Sequence, residues 1–256
     1  MVQEFSMLGW QIFVHSVRLV FNNLGAAFRI SMVLYLVSVA AQVYGYLNAD
    51  MASAINDGTF PTGAGQFAVM TMVLNMLGLV ASLWIAVAWH RFVLAEDYPE
   101  GYLPRMHGGK MLGYFGRSIL IGIIVAVGVL IASMPLAMIG AIAPPLTVLI
   151  IPVAIGLASV LFFRFGSILP ACAIGKNLTL GEAWAATRDQ APTFVVLGVV
   201  VSVATLIVVL PSLLNSDPGS TINLIYILVV NWFVTIIGIS LLTTVYGHFI
   251  EGRSID

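Results

Sequence analysis

The stretch SILIGIIVAVGVLIASMPLAMIGAIAPPLTVLIIPVAIGLASVLFF, residues 118–163, runs for 46 residues without an Asp, Glu, Lys or Arg. A helix needs about 20 predominantly apolar residues to cross the hydrocarbon of a bilayer. The stretch is too long for one pass and suits two. Pro144-Pro145 stands near its middle, and adjacent prolines cannot continue a helix because each lacks an N–H and its ring clashes with the preceding turn. The pattern predicts a tight turn there, with a third span near 118–143 and a fourth near 146–163.

Working outward, four more apolar runs have matching lengths. The first covers 30–48, between Arg29 and Asp50, and the second covers 67–89, stopping at His90-Arg91. The fifth, 193–214, is ended by Pro211 and the polar run Asn215-Ser216-Asp217-Pro218-Gly219. The sixth covers 222–246. The expected fold is all-α: a single integral membrane domain over 1–256 with six transmembrane helices in three hairpins.

The cations test this count. Lys and Arg of a membrane protein concentrate in cytoplasmic loops. With six passes, Arg18 and Arg29 precede the first span, and Arg91, Arg105, Lys110 and Arg117 lie between spans two and three. Arg164, Lys176 and Arg188 lie between four and five, and Arg253 lies in the tail. The loops on the other side, around Asp50 and Asp57, Pro144 and Asp217, hold none. All ten cations fall on one side, which predicts cytoplasmic N- and C-termini.

Composition agrees. Sixty per cent of residues are apolar and 8% charged, against roughly 25% charged in a soluble domain. Disorder requires low hydrophobicity and high net charge. A formal charge of −1 offers no basic excess for a nucleic-acid backbone. Cys172, the single cysteine, makes neither an internal disulfide nor a metal framework, and reads as an inert reduced thiol.

Two amphipathic segments are expected on the cytoplasmic surface. In 8–24, Trp10, Phe13, Val14, Val17 and Phe21 recur at helical spacing opposite Gln11, His15, Arg18 and Asn22, the pattern of a helix lying in the interface. The first fourteen residues include Glu4 and no cation, unlike a cleavable signal peptide. In 180–189, Thr179-Leu180-Gly181-Glu182 has the T-x-x-E spacing of a capping box, and Leu180, Ala183, Trp184 and Thr187 share one face.

Intramembrane ionisable residues usually mark a pathway or site, and none lies in the middle of a span as drawn. Asn75 and Asn231 are the costly midspan groups, and each is expected to face another helix, because an amide in hydrocarbon wants a partner. Pro135 and Pro152 read as kinks. Glu96, Asp97, Glu100 and His107, with His90 just before them, match no zinc or calcium spacing and read as a solvated loop. No G-x-S-x-G, H-E-x-x-H or P-loop is present. No catalytic residue, metal or cofactor is therefore expected.

The segment Phe163-Arg164-Phe165-Gly166-Ser167-Ile168-Leu169-Pro170-Ala171, with Leu178 to Arg188 and the tail Tyr246-Gly247-His248-Phe249-Ile250-Glu251-Gly252-Arg253, resembles uncharacterised six-span bacterial inner-membrane proteins. These are the YciC-like proteins and the membrane domain attached to some glycerophosphodiester phosphodiesterases. The resemblance implies a multi-pass protein of the bacterial cytoplasmic membrane. In the fused enzymes the catalytic metal site belongs to a separate soluble domain, which nothing here matches, so it implies no activity.

The three inward-ending spans close on Trp89-His90-Arg91-Phe92, Phe163-Arg164-Phe165 and Tyr246-Gly247-His248-Phe249. Either each set anchors its own helix, or the chain is a threefold hairpin repeat that brings Arg91, Arg164 and His248 into one pocket. Guanidinium forks suit phosphate oxygens, and such a pocket would hold an anionic phospholipid headgroup, with Trp89 and Phe163 on its acyl chains. The functional expectation is a non-enzymatic scaffold, assembly or lipid-interacting accessory, with membrane lipids and an unidentified membrane protein as partners. The alternative is a transporter or flippase for an apolar or lipid-like solute.

Overall fold

The computed structural model describes residues 2–142, 150–215 and 220–255; the turn expected at Pro144-Pro145 and the loop at Asp217 lie outside them. Among the described residues, six helical stretches are long and apolar enough to cross a membrane: α2 (Leu24–Leu47), α4 (Ala64–Ala95), α5 (Gly108–Ile142), α6 (Ile150–Gly166) continued into the short helix that follows it, so that this span runs Val153–Ile174, α9 (Ala191–Leu214) and α10 (Thr221–Phe249). Four shorter or amphipathic helices join them: α1 (Val2–Asn22), α3 (Ala49–Asn56), α7 (Ile168–Ile174) and α8 (Leu180–Ala186). The protein is an all-α, multi-pass integral membrane bundle. The helix α5 continues through Pro135.

The helix α10 packs against α1, α2, α4, α6, α7 and α9. It is a central post rather than one member of three equivalent hairpins, and α1 packs against both α9 and α10. The threefold arrangement weighed above is not the one adopted.

One cluster of buried residues follows α2, α4 and α10, through Leu34, Ile85, Trp232 and Ile236. Here Tyr35 donates to the Leu228 carbonyl at 2.8 Å and the Trp232 indole donates to Ser31 at 2.8 Å. A second cluster gathers Ile12, Tyr114, Phe163, Ile168, Phe194, Leu197 and Val245 at the end that carries the cations, the basic end. Among the described residues of α5 and α9, burial is confined to this end: Met111, Tyr114 and Ile121, then Thr193, Phe194, Leu197 and Gly198. Beyond it these helices present valine, leucine and isoleucine outward, as hydrocarbon solvent permits.

The helix α7 lies where the sequence predicts a cytoplasmic loop between the fourth and fifth spans. Its residues Ile168 to Ala173 are all buried, against α4, α5 and α10. Ser167, between α6 and α7, keeps helical backbone angles, so this apolar run prolongs the fourth span beyond the expected residue 163 to Ile174, and it stops at Gly175, whose φ of +82° suits glycine. The capping box of α8 forms: Thr179 N–H donates to Glu182 at 2.8 Å and Glu182 N–H to Thr179 Oγ1 at 3.2 Å. Those bonds from Thr179 hold the Glu182 carboxyl below its ordinary pKa. The helix is shorter than expected, ending at Ala186, with Asp189 at a φ of +64°.

Candidate functional site

The helix α1 begins at Val2, earlier than the expected residue 8, and has three sides rather than two. Gly9, Ile12, Ser16 and Val20 are buried, at the three- and four-residue spacing of one helical face. A Cβ at Gly9 would lie 2.7 Å from the Thr193 carbonyl oxygen, so glycine sets how closely α1 approaches α9. Against α10, Ser16 Oγ lies 2.9 Å from Thr244 Oγ1, and Ser240 donates to the Ser16 carbonyl at 3.2 Å. The aromatic face is the most open, with Trp10 55% and Phe21 50% exposed, and Phe21 stacks on Phe233 of α10 at 5.6 Å. Arg18, on the third side, is exposed. A hydropathy pattern sees only the apolar and polar sides; the side built of glycine, serine and single aliphatics appears only when the partner helices are in place.

On one flank of α1, a groove of about 380 Å³ separates α9 from α10. Val201, Ala204 and Thr205 line one wall, Phe233 and Ile237 the other, and Phe13 and Phe21 stand at α1's end. Nearer the opposite face, Tyr226 of α10 donates to the Val208 carbonyl of α9 at 2.7 Å. The groove offers almost no polar surface.

On the other flank lie two adjoining clefts of about 280 Å³ each, and both include His15 and Ile255. One adds Thr243, Thr244, His248 and Arg253; the other adds Trp10, Gln11, Val14 and Arg18. His248 Nδ1 lies 3.1 Å from the Arg253 carbonyl. A carbonyl only accepts, so Nδ1 carries the proton, and Nε2 is left for another partner.

Arg253 holds the tail in place. It donates to the Val93 and Leu94 carbonyls at 3.2 and 3.0 Å, and to Glu251 at 2.7 Å. Lys176 reaches Glu251 at 2.8 Å. Partial burial pushes the Glu251 carboxyl up, but Lys176 and Arg253 outweigh it and hold the group below its ordinary pKa. The bond to Glu251 raises Lys176.

The three residues expected to converge are not brought into one cavity. Arg91 donates to Asp97 at 2.8 Å and to the Ala173 carbonyl at 3.4 Å, and lines a recess of about 70 Å³ with Glu100 and His107. Arg164 is 6% exposed. It stacks 3.4 Å above the Trp184 ring and donates to Thr187 and the Trp184 carbonyl at 3.1 and 3.0 Å. His248 borders a cleft beside α1, apart from both. Trp89 is fully buried, and Phe163, also buried, stacks on Phe194 at 6.1 Å. Both aromatics belong to the core and not to a lipid-facing surface. Arg18, Arg29 and Arg188 are exposed and make no side-chain hydrogen bond among the described residues.

His90, grouped above with a solvated loop, is fully buried. Its Nδ1 lies 2.8 Å from Thr243 Oγ1 and its Nε2 3.2 Å from the Tyr114 hydroxyl. Thr243 already donates to the Ile239 carbonyl. It therefore accepts from Nδ1–H, and Nε2 accepts from Tyr114: a neutral imidazole joining α4, α5 and α10. Of the two midspan amides, Asn231 donates to Gln42 of α2 at 3.1 Å, as expected for one that meets another helix. Asn75 does not: it is exposed on α4, without a side-chain hydrogen bond among the described residues.

Comparison with known family models, with curated proteins and with solved structures finds no match.

Proposed function

We propose that this is a non-enzymatic integral membrane protein that interacts with phospholipid through α1, in the bacterial cytoplasmic membrane and with both termini cytoplasmic. The observation that carries the reading is the arrangement around one helix. A basic cleft with His15, Arg18 and His248 lies on one flank of α1, an apolar groove between α9 and α10 lies on the other, and exposed aromatics lie between. An anionic headgroup takes the cleft, because basic pockets on this side of a membrane suit such groups. An acyl chain crosses the Trp10–Phe21 face into the groove. Arg91 and Arg164, with their donors directed at the protein's own acceptors, position loop and helix in this reading. The sorting of all ten cations to one side of the six spans supports the orientation.

The test is lipid retained through purification in mild detergent, measured by native mass spectrometry. Arg18→Ala with His248→Ala is expected to lower bound anionic lipid, and Ala204→Phe, which fills the groove, to lower total bound lipid. Unchanged lipid in both variants overturns the reading. A flippase would use the same groove, and movement of labelled lipid between leaflets of reconstituted vesicles separates that activity from binding alone.

A further inference from the structure

Asn75 is an exposed amide in the middle of the apolar helix α4. It lies about 16 Å along α4 from Ala64 and about 22 Å from His90 at the basic end, at 1.5 Å per residue. Its short side chain reaches neither interface. The amide is exposed and has no side-chain hydrogen bond among the described residues. Leaving such a group in hydrocarbon is unfavourable. The contrast with Asn231, which meets Gln42, shows the fold pairing one midspan amide and turning the other outward.

We infer that a second copy of this chain packs on α4 around Asn75. An asparagine amide carries a donor and an acceptor on one planar group, so two of them related by a twofold axis satisfy each other in a reciprocal pair. Twofold contacts place the same patch on both subunits, which is what a self-complementary group requires. The surrounding surface suits such a contact. Met72, Met76 and Leu79 lie three residues before, one after and four after Asn75, and are 62%, 54% and 38% exposed. Unbranched methionines adapt to an opposing helix.

The experiment is site-directed crosslinking of the full chain in native membranes, with Cys172 replaced by alanine. Single cysteines are placed at Met72, at Met76 and, as control, at Val203, an exposed residue of α9. Met72→Cys and Met76→Cys are expected to give a product with the mass of two chains, and Val203→Cys none. Asn75→Leu, which suits a lipid-facing site and leaves folding intact, is expected to reduce the product roughly tenfold, and Asn75→Gln to restore it. Absence of a two-chain product at both positions overturns the inference. So does an equal yield from Val203→Cys, an undiminished yield in Asn75→Leu, or a product whose mass includes a different protein.

Discussion

The guanidinium of Arg164 lies over the indole of Trp184, 3.4 Å from the ring centroid, while its N–H groups reach Thr187 and the Trp184 carbonyl. This joins the basic end of α6 to α8, and Phe165 also stacks on Trp184 at 5.4 Å. A guanidinium stacks and donates in several directions at once, and an ammonium does neither as well. Arg164→Lys is therefore expected to destabilise the protein by about 1–2 kcal/mol, read as a lowered melting temperature in detergent. Trp184→Phe, which keeps a ring and the carbonyl, is expected to cost less. Equal stability of Arg164→Lys and the parent would remove the clamp from the account.

The contact of α1 with α9 depends on a missing side chain. A methyl group at Gly9 meets the Thr193 carbonyl at 2.7 Å, closer than real Cβ contacts come. Gly9→Ala is expected to destabilise by about 1–3 kcal/mol and to increase labelling of a cysteine introduced at Ile12, which is fully buried. Gly25, where a Cβ meets nothing within 4 Å, is the control, and Gly25→Ala is expected to leave stability unchanged or raised.

The tail is held by an ion pair whose sign gives its pH range. The folded pKa of Glu251 is depressed, so its contribution is present above the ordinary glutamate pKa and lost as pH falls through the folded value. The folded pKa of Lys176 is raised, so its contribution is present below the ordinary lysine pKa and lost as pH rises through the folded value. A cysteine at Ile255, half-buried in the cleft beside His15, is expected to react slowly near neutral pH and faster toward both extremes, once thiolate reactivity is normalised. Glu251→Gln is expected to flatten the acid limb. A profile identical to the parent in Glu251→Gln would show that the ion pair does not hold the tail.

Orientation is tested by labelling from outside. In intact spheroplasts, cysteine at Asp57 is expected to react with an impermeant thiol reagent and cysteine at Arg105 to stay unlabelled; both residues are exposed on the fold. Labelling at Arg105 would reverse the protein in the membrane.

The number of spans and their common basic end were legible in the residues because both are local properties. A run of about 20 apolar residues crosses a bilayer whatever its neighbours do, and each cation is assigned by the loop that holds it. The capping box at Thr179 and Glu182 was legible for the same reason: its partners are three residues apart. The rotation of each helix about its axis was not. A span that is apolar on every side carries little information on which side faces protein, so nothing in the sequence distinguished Asn75, turned outward, from Asn231, paired with Gln42. Tertiary contact alone decided that α7 is buried against α4, α5 and α10, that Gly9 and Ser16 form α1's protein face, and that Arg164 stacks on Trp184 of α8. Each outcome depends on residues far apart in the chain, and in hydrocarbon it is close packing and polar pairing between helices, rather than hydrophobicity, that select the neighbour.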